Sequence, residues 1–320
     1  MIKTEQAKRF ILIVGAPRSG TTLVSNMLAS HPDIYIFPQT QFFNKIWGAR
    51  YLYNFKKNRQ KMLGVISRDT AVKRSGIDLF FNKSALRNSF DDYFQEYIDL
   101  VNDYNMNRKQ YIGDKTPRHI MVIKDLKNKL PVPLKVVAVV RDSRAVLASM
   151  KARNLIKNMA SGAAIWNTYA RGIKSLPGWV QPSDFLVLRY EDIIGDPEAA
   201  AMRIADTLGI PYSKQMVEVQ DNNSSFLRHD KGGIYNDSLE TWRTRLSPDD
   251  INCISTLTQK HLDHFGYEYA KDVTKKISSG ELAAYFFSLA QERLIVLSIK
   301  AGVFPAAVLA DFLKPYLGRP

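Results

Sequence analysis

The segment that most restricts how this chain can fold is its first apolar run. Phe10-Ile11-Leu12-Ile13-Val14 is continuous, rich in β-branched residues and ended by Gly15. Such a run reads as a strand covered on both faces, as in a parallel sheet. Gly15-Ala16-Pro17-Arg18-Ser19-Gly20-Thr21-Thr22 follows at once, and from Thr21 the apolar residues Leu23, Val24, Met27 and Leu28 recur at helical spacing as far as His31-Pro32. Strand, tight loop, helix is an arrangement in which backbone N–H groups converge on an anion. The alternative is a glycine turn that merely joins strand to helix, and the cation Arg18 inside the loop argues against it.

The pattern recurs. Leu134 to Val140 reads as a second buried strand, with a helix from Ser143 to about Arg153, and Phe185 to Leu188 as a third. Asp196-Pro197-Glu198 and Ser247-Pro248-Asp249-Asp250 each open a helix with an acidic first turn and proline near its start. Strands alternating with helices predict an α/β fold: a P-loop-type central parallel β-sheet flanked by helices. Residues 41–110 differ, being aromatic and basic around Trp47, Tyr51, Tyr53 and Phe55, and read as a mostly helical insertion. From Glu281 to Tyr316 two amphipathic helices are expected, broken near Gly302 to Pro305.

Charge narrows the partners without choosing one. Forty-five Lys+Arg against 31 Asp+Glu leave +14, which favours nucleotide phosphates, nucleic acid, an acidic substrate or a membrane surface. Nucleic-acid binding rests on that charge alone and is discounted. Cys253 is the only cysteine, which excludes an intrachain disulfide and a cysteine metal cluster. No signal peptide is read at the N-terminus, and Ala301 to Ala310 is about half of a bilayer span, so a cytoplasmic protein is expected.

The first loop has the spacing G-x-x-x-x-G-K-[ST], with Thr21 in place of the lysine that a nucleotide triphosphatase needs at the γ-phosphate. Arg141, rather than a Mg²⁺ carboxylate, closes the second strand. Both count against a P-loop kinase or nucleotide hydrolase, which stands as the alternative. In Arg141-Asp142-Ser143-Arg144-Ala145-Val146-Leu147-Ala148-Ser149, an arginine at a strand end and a serine two turns into the next helix can grip one phosphate from two sides.

Pro17-Arg18-Ser19-Gly20-Thr21-Thr22 resembles the 5′-phosphosulfate loop of sulfotransferases that use 3′-phosphoadenosine 5′-phosphosulfate (PAPS), in particular the bacterial branch related to tyrosylprotein sulfotransferases, whose first helix also ends in His-Pro. The resemblance implies that Ser19, Gly20, Thr21 and Thr22 hold the 5′-phosphosulfate, with Arg18 near the bridging oxygen, and that Arg141 and Ser149 hold the 3′-phosphate. Arg189-Tyr190-Glu191-Asp192 is similar to a family segment whose tyrosine lies near the adenine. Phe226 to Gly233 resembles the family's late basic-glycine loop over the 3′-phosphate, with Gly232 in it. Inserted residues leave both Arg228 and Lys231 as candidates for that contact. The resemblance spans residues 9–270, so a sulfotransferase domain at 1–270, with its insertion at 41–110, and a helical extension at 271–320 are expected. PAPS is then the donor, 3′,5′-ADP the product, and no metal is expected.

The acceptor side is less determined. Sulfonate transfer relies on positioning and on cations at the transferring group, for which Arg18 and Lys115 are candidates. Lys115 lies in Gly113-Asp114-Lys115-Thr116-Pro117-Arg118-His119, which resembles a Lys-Thr-Pro segment of the bacterial enzymes. The related branch has a glutamate base after the first helix, where this chain has Gln39, and an amide cannot be a general base. His119 and Asp114 are the nearest substitutes. The histidine base of the cytosolic small-molecule branch falls on Pro117. Gln39 also motivates a catalytically silent nucleotide-binding protein as a further alternative. A small-molecule acceptor, through a hydroxyl or an amine, is expected. The C-terminal helices are expected to pack on the domain, with a homodimer or peripheral membrane contact as other uses.

Overall fold

The computed structural model describes residues 8–74, 89–105, 108–219, 234, 239–268 and 276–303. Five strands, β1 (Arg9–Gly15), β2 (Ile34–Phe37), β3 (Tyr111–Asp114), β4 (Leu134–Val140) and β5 (Phe185–Arg189), form one parallel sheet in the order β2-β3-β1-β4-β5. The main helices among the described residues are α1 (Thr21–Ala29), α2 (Arg59–Ser67), α3 (Tyr93–Tyr104), α4 (Ser143–Lys151), α5 (Met159–Lys174), α6 (Tyr190–Gly195), α7 (Pro197–Leu208), α8 (Pro248–His264) and α9 (Ser279–Ala301).

Strand β1 is apolar on both sides because both are covered. Ile11 and Ile13 meet Val24 and Met27 of α1 and Ile204 and Leu208 of α7 on one face. Phe10, Leu12 and Val14 meet Trp166 of α5, Ile254 of α8 and Tyr97 of α3 on the other. Alternation along a strand sends each set to its own layer. The expected P-loop-type sheet is therefore present.

Helix starts follow their local chemistry. Asp196 accepts the N–H of Ala199 at 2.9 Å, with Pro197 in the first turn. Ser247 and Asp250 form a reciprocal capping box at α8, and Ser278 and Glu281 do the same at α9. The aromatic insertion is largely core: Phe42, Phe43, Trp47, Phe55, Phe94 and Tyr97 are buried, whereas Tyr51 is exposed. Two strands lie outside the sequence expectation. β2 and β3 are only four residues each, too short for a periodic signal. At the C-terminus α9 is continuous from Ser279 and ends at Gly302, a left-handed residue (φ 73°); the second expected helix lies outside the described residues.

From β1 the chain runs to one edge of the sheet, and from β4 to the other. The carboxyl ends of these adjacent strands therefore bound a crevice, the place where open α/β sheets bind ligands. Both sequence motifs end there.

Candidate active site

The loop after β1 is held in a conformation few sequences tolerate. Arg18 (φ 71°) and Gly20 (φ 95°) are left-handed, and the Ser19 N–H donates to the Ala16 carbonyl at 3.1 Å. At Gly20 a second constraint applies: a Cβ would stand 2.2 Å from the Tyr190 ring. Arg18 has a Cβ and costs about 1–2 kcal/mol in this region. The conformation turns its guanidinium towards α4, where Nε donates to Ser149 Oγ at 3.0 Å.

Tyr190 joins the two motifs. It is buried, with Gly20 against its ring on one contact and the Arg141 guanidinium 4.1 Å from its centroid on another. Behind it, Glu191 accepts the Asp142 N–H at 3.1 Å and the Tyr267 hydroxyl at 2.7 Å. Burial raises the pKa of Glu191. Asp142 caps α4 through the Arg144 N–H (2.8 Å) and pairs with the Arg144 guanidinium (2.6 Å), which lies over Trp242. Loop, β4 end and α6 are thus one frame.

The frame concentrates positive charge. Burial, followed by the charges of Arg153 and Arg141, lowers the Arg18 pKa to about 10. A partly buried cation close to like charges favours the approach of an anion. Ser19 is fully buried and its hydroxyl has no hydrogen-bond partner. A left-handed loop and three guanidinium groups fit a nucleotide with more than one phosphate. Arg18, Ser19, Gly20, Arg141, Ser149 and Tyr190 are brought together here, with Thr21 and Thr22 beside them on a cavity. Arg228, Lys231 and Gly232 lie outside the described residues.

That cavity, about 820 Å³, has the loop as one wall and the insertion as another. Lys115 reaches it from the end of β3 and donates to Gln39 Oε1 at 3.3 Å. Burial lowers the Lys115 pKa, and Arg18 lowers it further against the opposing charges of Asp114 and Asp69. Arg118 and Arg153 also line the cavity, with Tyr169. Arg118 donates to Glu292 of α9 at 3.2 and 3.5 Å.

The structure does not bring His119 to the cavity. Residues 117–121 form a 3₁₀ turn, in which successive side chains diverge by about 120°. Pro117 and Arg118 face the cavity while His119 points into the core, fully buried, 5.1 Å from the Phe43 ring centroid and 3.4 Å from Asp114. Asp114 is equally buried and accepts the hydroxyl of Tyr97.

Asp69, absent from the sequence reading, is the one carboxylate on the described lining. Its Oδ2 accepts from Lys45 Nζ at 2.8 Å and its Oδ1 from the Ala71 N–H at 2.9 Å. The local signal for it, an Asx turn opening a short helix, says nothing about a cavity.

Sheet order, loop and crevice define a nucleotide-binding α/β fold whose phosphate loop lacks the kinase lysine. The model of the Sulfotransferase family matches residues 11–214, and the chain belongs to that family. It is a transferase of sulfonate groups, with PAPS the donor expected. Similar proteins include carbohydrate sulfotransferase 1 of Danio rerio, 25% identical, over 82% of this chain and 78% of that protein. A putative protein-tyrosine sulfotransferase of Caenorhabditis briggsae is 24% identical, over 80% of this chain and 85% of that protein. In structure the chain is similar to the sulfotransferase domain from the curacin biosynthetic pathway (TM-score 0.59, 18% identity, 82% of this chain and 99% of that one). A sulfotransferase domain from the Synechococcus PCC 7002 olefin synthase is alike to a similar degree (TM-score 0.58, 19% identity, 84% and 98%). At these identities the structural likeness shows the fold.

Proposed function

We propose that this sulfotransferase moves the sulfonate of PAPS to a hydroxyl or amine of a small molecule by in-line displacement, and that Asp69 takes the acceptor proton. One observation carries the reading: the cavity joins the phosphate loop (Arg18, Thr21, Thr22) directly to a partly buried cation and a buried carboxylate, Lys115 and Asp69. Its volume is in the range of small-molecule sites.

The residues divide the work. Loop amides, Ser19, Thr21 and Thr22 would hold the 5′ anion, and Arg141 with Ser149 the 3′-phosphate. Ser149 also fixes Arg18, so a donor held there sets the position of the cation at the bridging oxygen. Tyr190 carries the Arg141 guanidinium and acts on the nucleotide through it. As the acceptor oxygen bonds to sulfur, the bond from sulfur to the bridging phosphate oxygen breaks and its electrons leave with 3′,5′-ADP. Arg18 and Lys115 stabilise the charge developing on that side. The acceptor proton passes to the Asp69 carboxylate, which fills the role that Gln39 cannot. Cys253 takes no part: burial raises its pKa to about 12. A lone, buried thiol suits a reducing compartment, and on that ground we place the reaction in the cytoplasm.

The test is transfer of ³⁵S from labelled PAPS to a panel of phenols, monosaccharides, amines and a tyrosine peptide. Labelled small-molecule products support the reading. Turnover of the peptide alone contradicts the acceptor class, Mg²⁺-dependent turnover of ATP favours a kinase, and nucleotide binding without any transfer favours a silent binding protein.

A further inference from the structure

Helix α9 lies beyond the segment that matches the family, and its two sides differ. Glu292, Ile295 and Ile299 are buried, Glu292 holds Arg118, and the Tyr285 hydroxyl accepts from Asn167 Nδ2 at 2.8 Å. The opposite side carries Phe286 (62% exposed), Phe287 (65%), Leu294 (63%) and Leu297 (62%). Spacings of three, seven, eight and eleven put these on one face. Tyr51 (74%) and Leu52 (49%) continue it, because the Tyr51 N–H donates to the Gly302 carbonyl at 3.0 Å and Arg50 donates to the carbonyls of Ile299 and Lys300. An apolar face of this extent is unusual on a protein surface without a partner.

The charges around the face identify what it meets. Of the four charged side chains on α9, Glu281 is engaged in the N-terminal cap and Glu292 is buried against Arg118. Those left facing outward, Arg293 and Lys300, are both cations, and the neighbouring insertion adds exposed Lys56, Lys57 and Lys61. A second copy of the chain would bring like charges together across a two-fold axis. A layer of anionic headgroups over hydrocarbon answers both the cations and the phenyl groups. By length and composition α9 could cross a bilayer. Crossing would strip Glu292 and Arg118 of each other, so the helix lies flat.

We infer that α9, with Tyr51 and Leu52, docks this protein on the surface of a bilayer that contains anionic lipid. The inference is independent of the acceptor. Because Arg118 lines the cavity, a docked helix holds part of the acceptor site close to the membrane surface.

The experiment is co-sedimentation of the full chain with vesicles of phosphatidylcholine, or of phosphatidylcholine and phosphatidylglycerol at roughly seven to three. Binding to the anionic vesicles is expected, weakened by salt. The Phe287→Asp, Leu294→Asp double variant should bind at least about tenfold less, and Arg293→Glu, Lys300→Glu should lose at least about thirtyfold on anionic vesicles alone, at roughly 1 kcal/mol per cation. These positions are exposed, and an unchanged thermal midpoint shows that each variant folds. No vesicle binding by the parent chain overturns the inference. So does a concentration-dependent dimer that the Phe287→Asp, Leu294→Asp variant abolishes, which would make the face a self-association surface, and so does equal binding by parent and variants.

Discussion

Asp69 and Lys115 are the residues on which the proposed chemistry turns. Removing a positioned base costs about 10²–10⁴ in rate. Asp69→Asn should therefore lower kcat by that order, while 3′,5′-ADP binds as before. Weakened nucleotide binding with kcat little changed would reassign Asp69 to the donor site. The Lys115 pKa is lowered by burial, so its cation is lost as pH rises at a value below the ordinary lysine pKa of about 10.4. Activity should then decline on the alkaline side before a free lysine titrates. Lys115→Arg should move that limb to higher pH, since a guanidinium holds its proton more firmly than an ammonium in the same surroundings. An alkaline limb at the same pH in Lys115→Arg would remove Lys115 as its source. These two residues differed in how visible they were beforehand. Lys115 sits in a recognisable segment next to a strand, whereas Asp69 enters the cavity through the path of an insertion whose turns leave no periodic trace. His119 shows the converse: its residue type invites a catalytic role, and one step of a 3₁₀ turn takes it into the core.

Among the elements, those with the strongest local signals were legible. β1, its loop and α1, and β4 with Arg141 and α4, follow from apolar runs that need cover on both faces and from glycine where a side chain would strike Tyr190. β2 and β3 were not, because four residues paired within a sheet gain their stability from neighbours that sequence order does not reveal. The contact between α9 and the cavity was also invisible, since it depends on a pair 174 residues apart, Arg118 and Glu292. Breaking a buried pair leaves a charge without its partner and costs about 3–5 kcal/mol. Glu292→Ala should lower stability by that order in urea unfolding. Arg118→Met with Glu292→Met should recover most of the loss, because both charges are then gone. A Glu292→Ala variant as stable as the parent would mean that α9 is held by its apolar contacts alone.

For the whole molecule, acid stability has an identifiable contributor. Burial against the domain, then the charges of Arg171 and Lys174, lowers the His261 pKa to about 4. The unfolded chain takes up this proton near pH 6.5 and the folded one does not. Stability should therefore fall as pH drops from about 6.5, with this loss complete near 4, and His261→Gln should flatten the dependence of the thermal midpoint in that interval. An unchanged slope would assign acid sensitivity to carboxylates instead. The central claim concerns the donor: two phosphate sites, one on the loop after β1 and one between Arg141 and Ser149, bound to a single frame through Tyr190 and Glu191. Calorimetric titration with 3′,5′-ADP, with 5′-AMP and ATP as controls and Arg141→Ala alongside, tests it most directly. Tight binding of the bisphosphate alone, weakened at least about tenfold in Arg141→Ala by loss of one cation–phosphate contact, is the predicted result. Equal affinity for 5′-AMP and 3′,5′-ADP, or a bisphosphate affinity indifferent to Arg141, would contradict it.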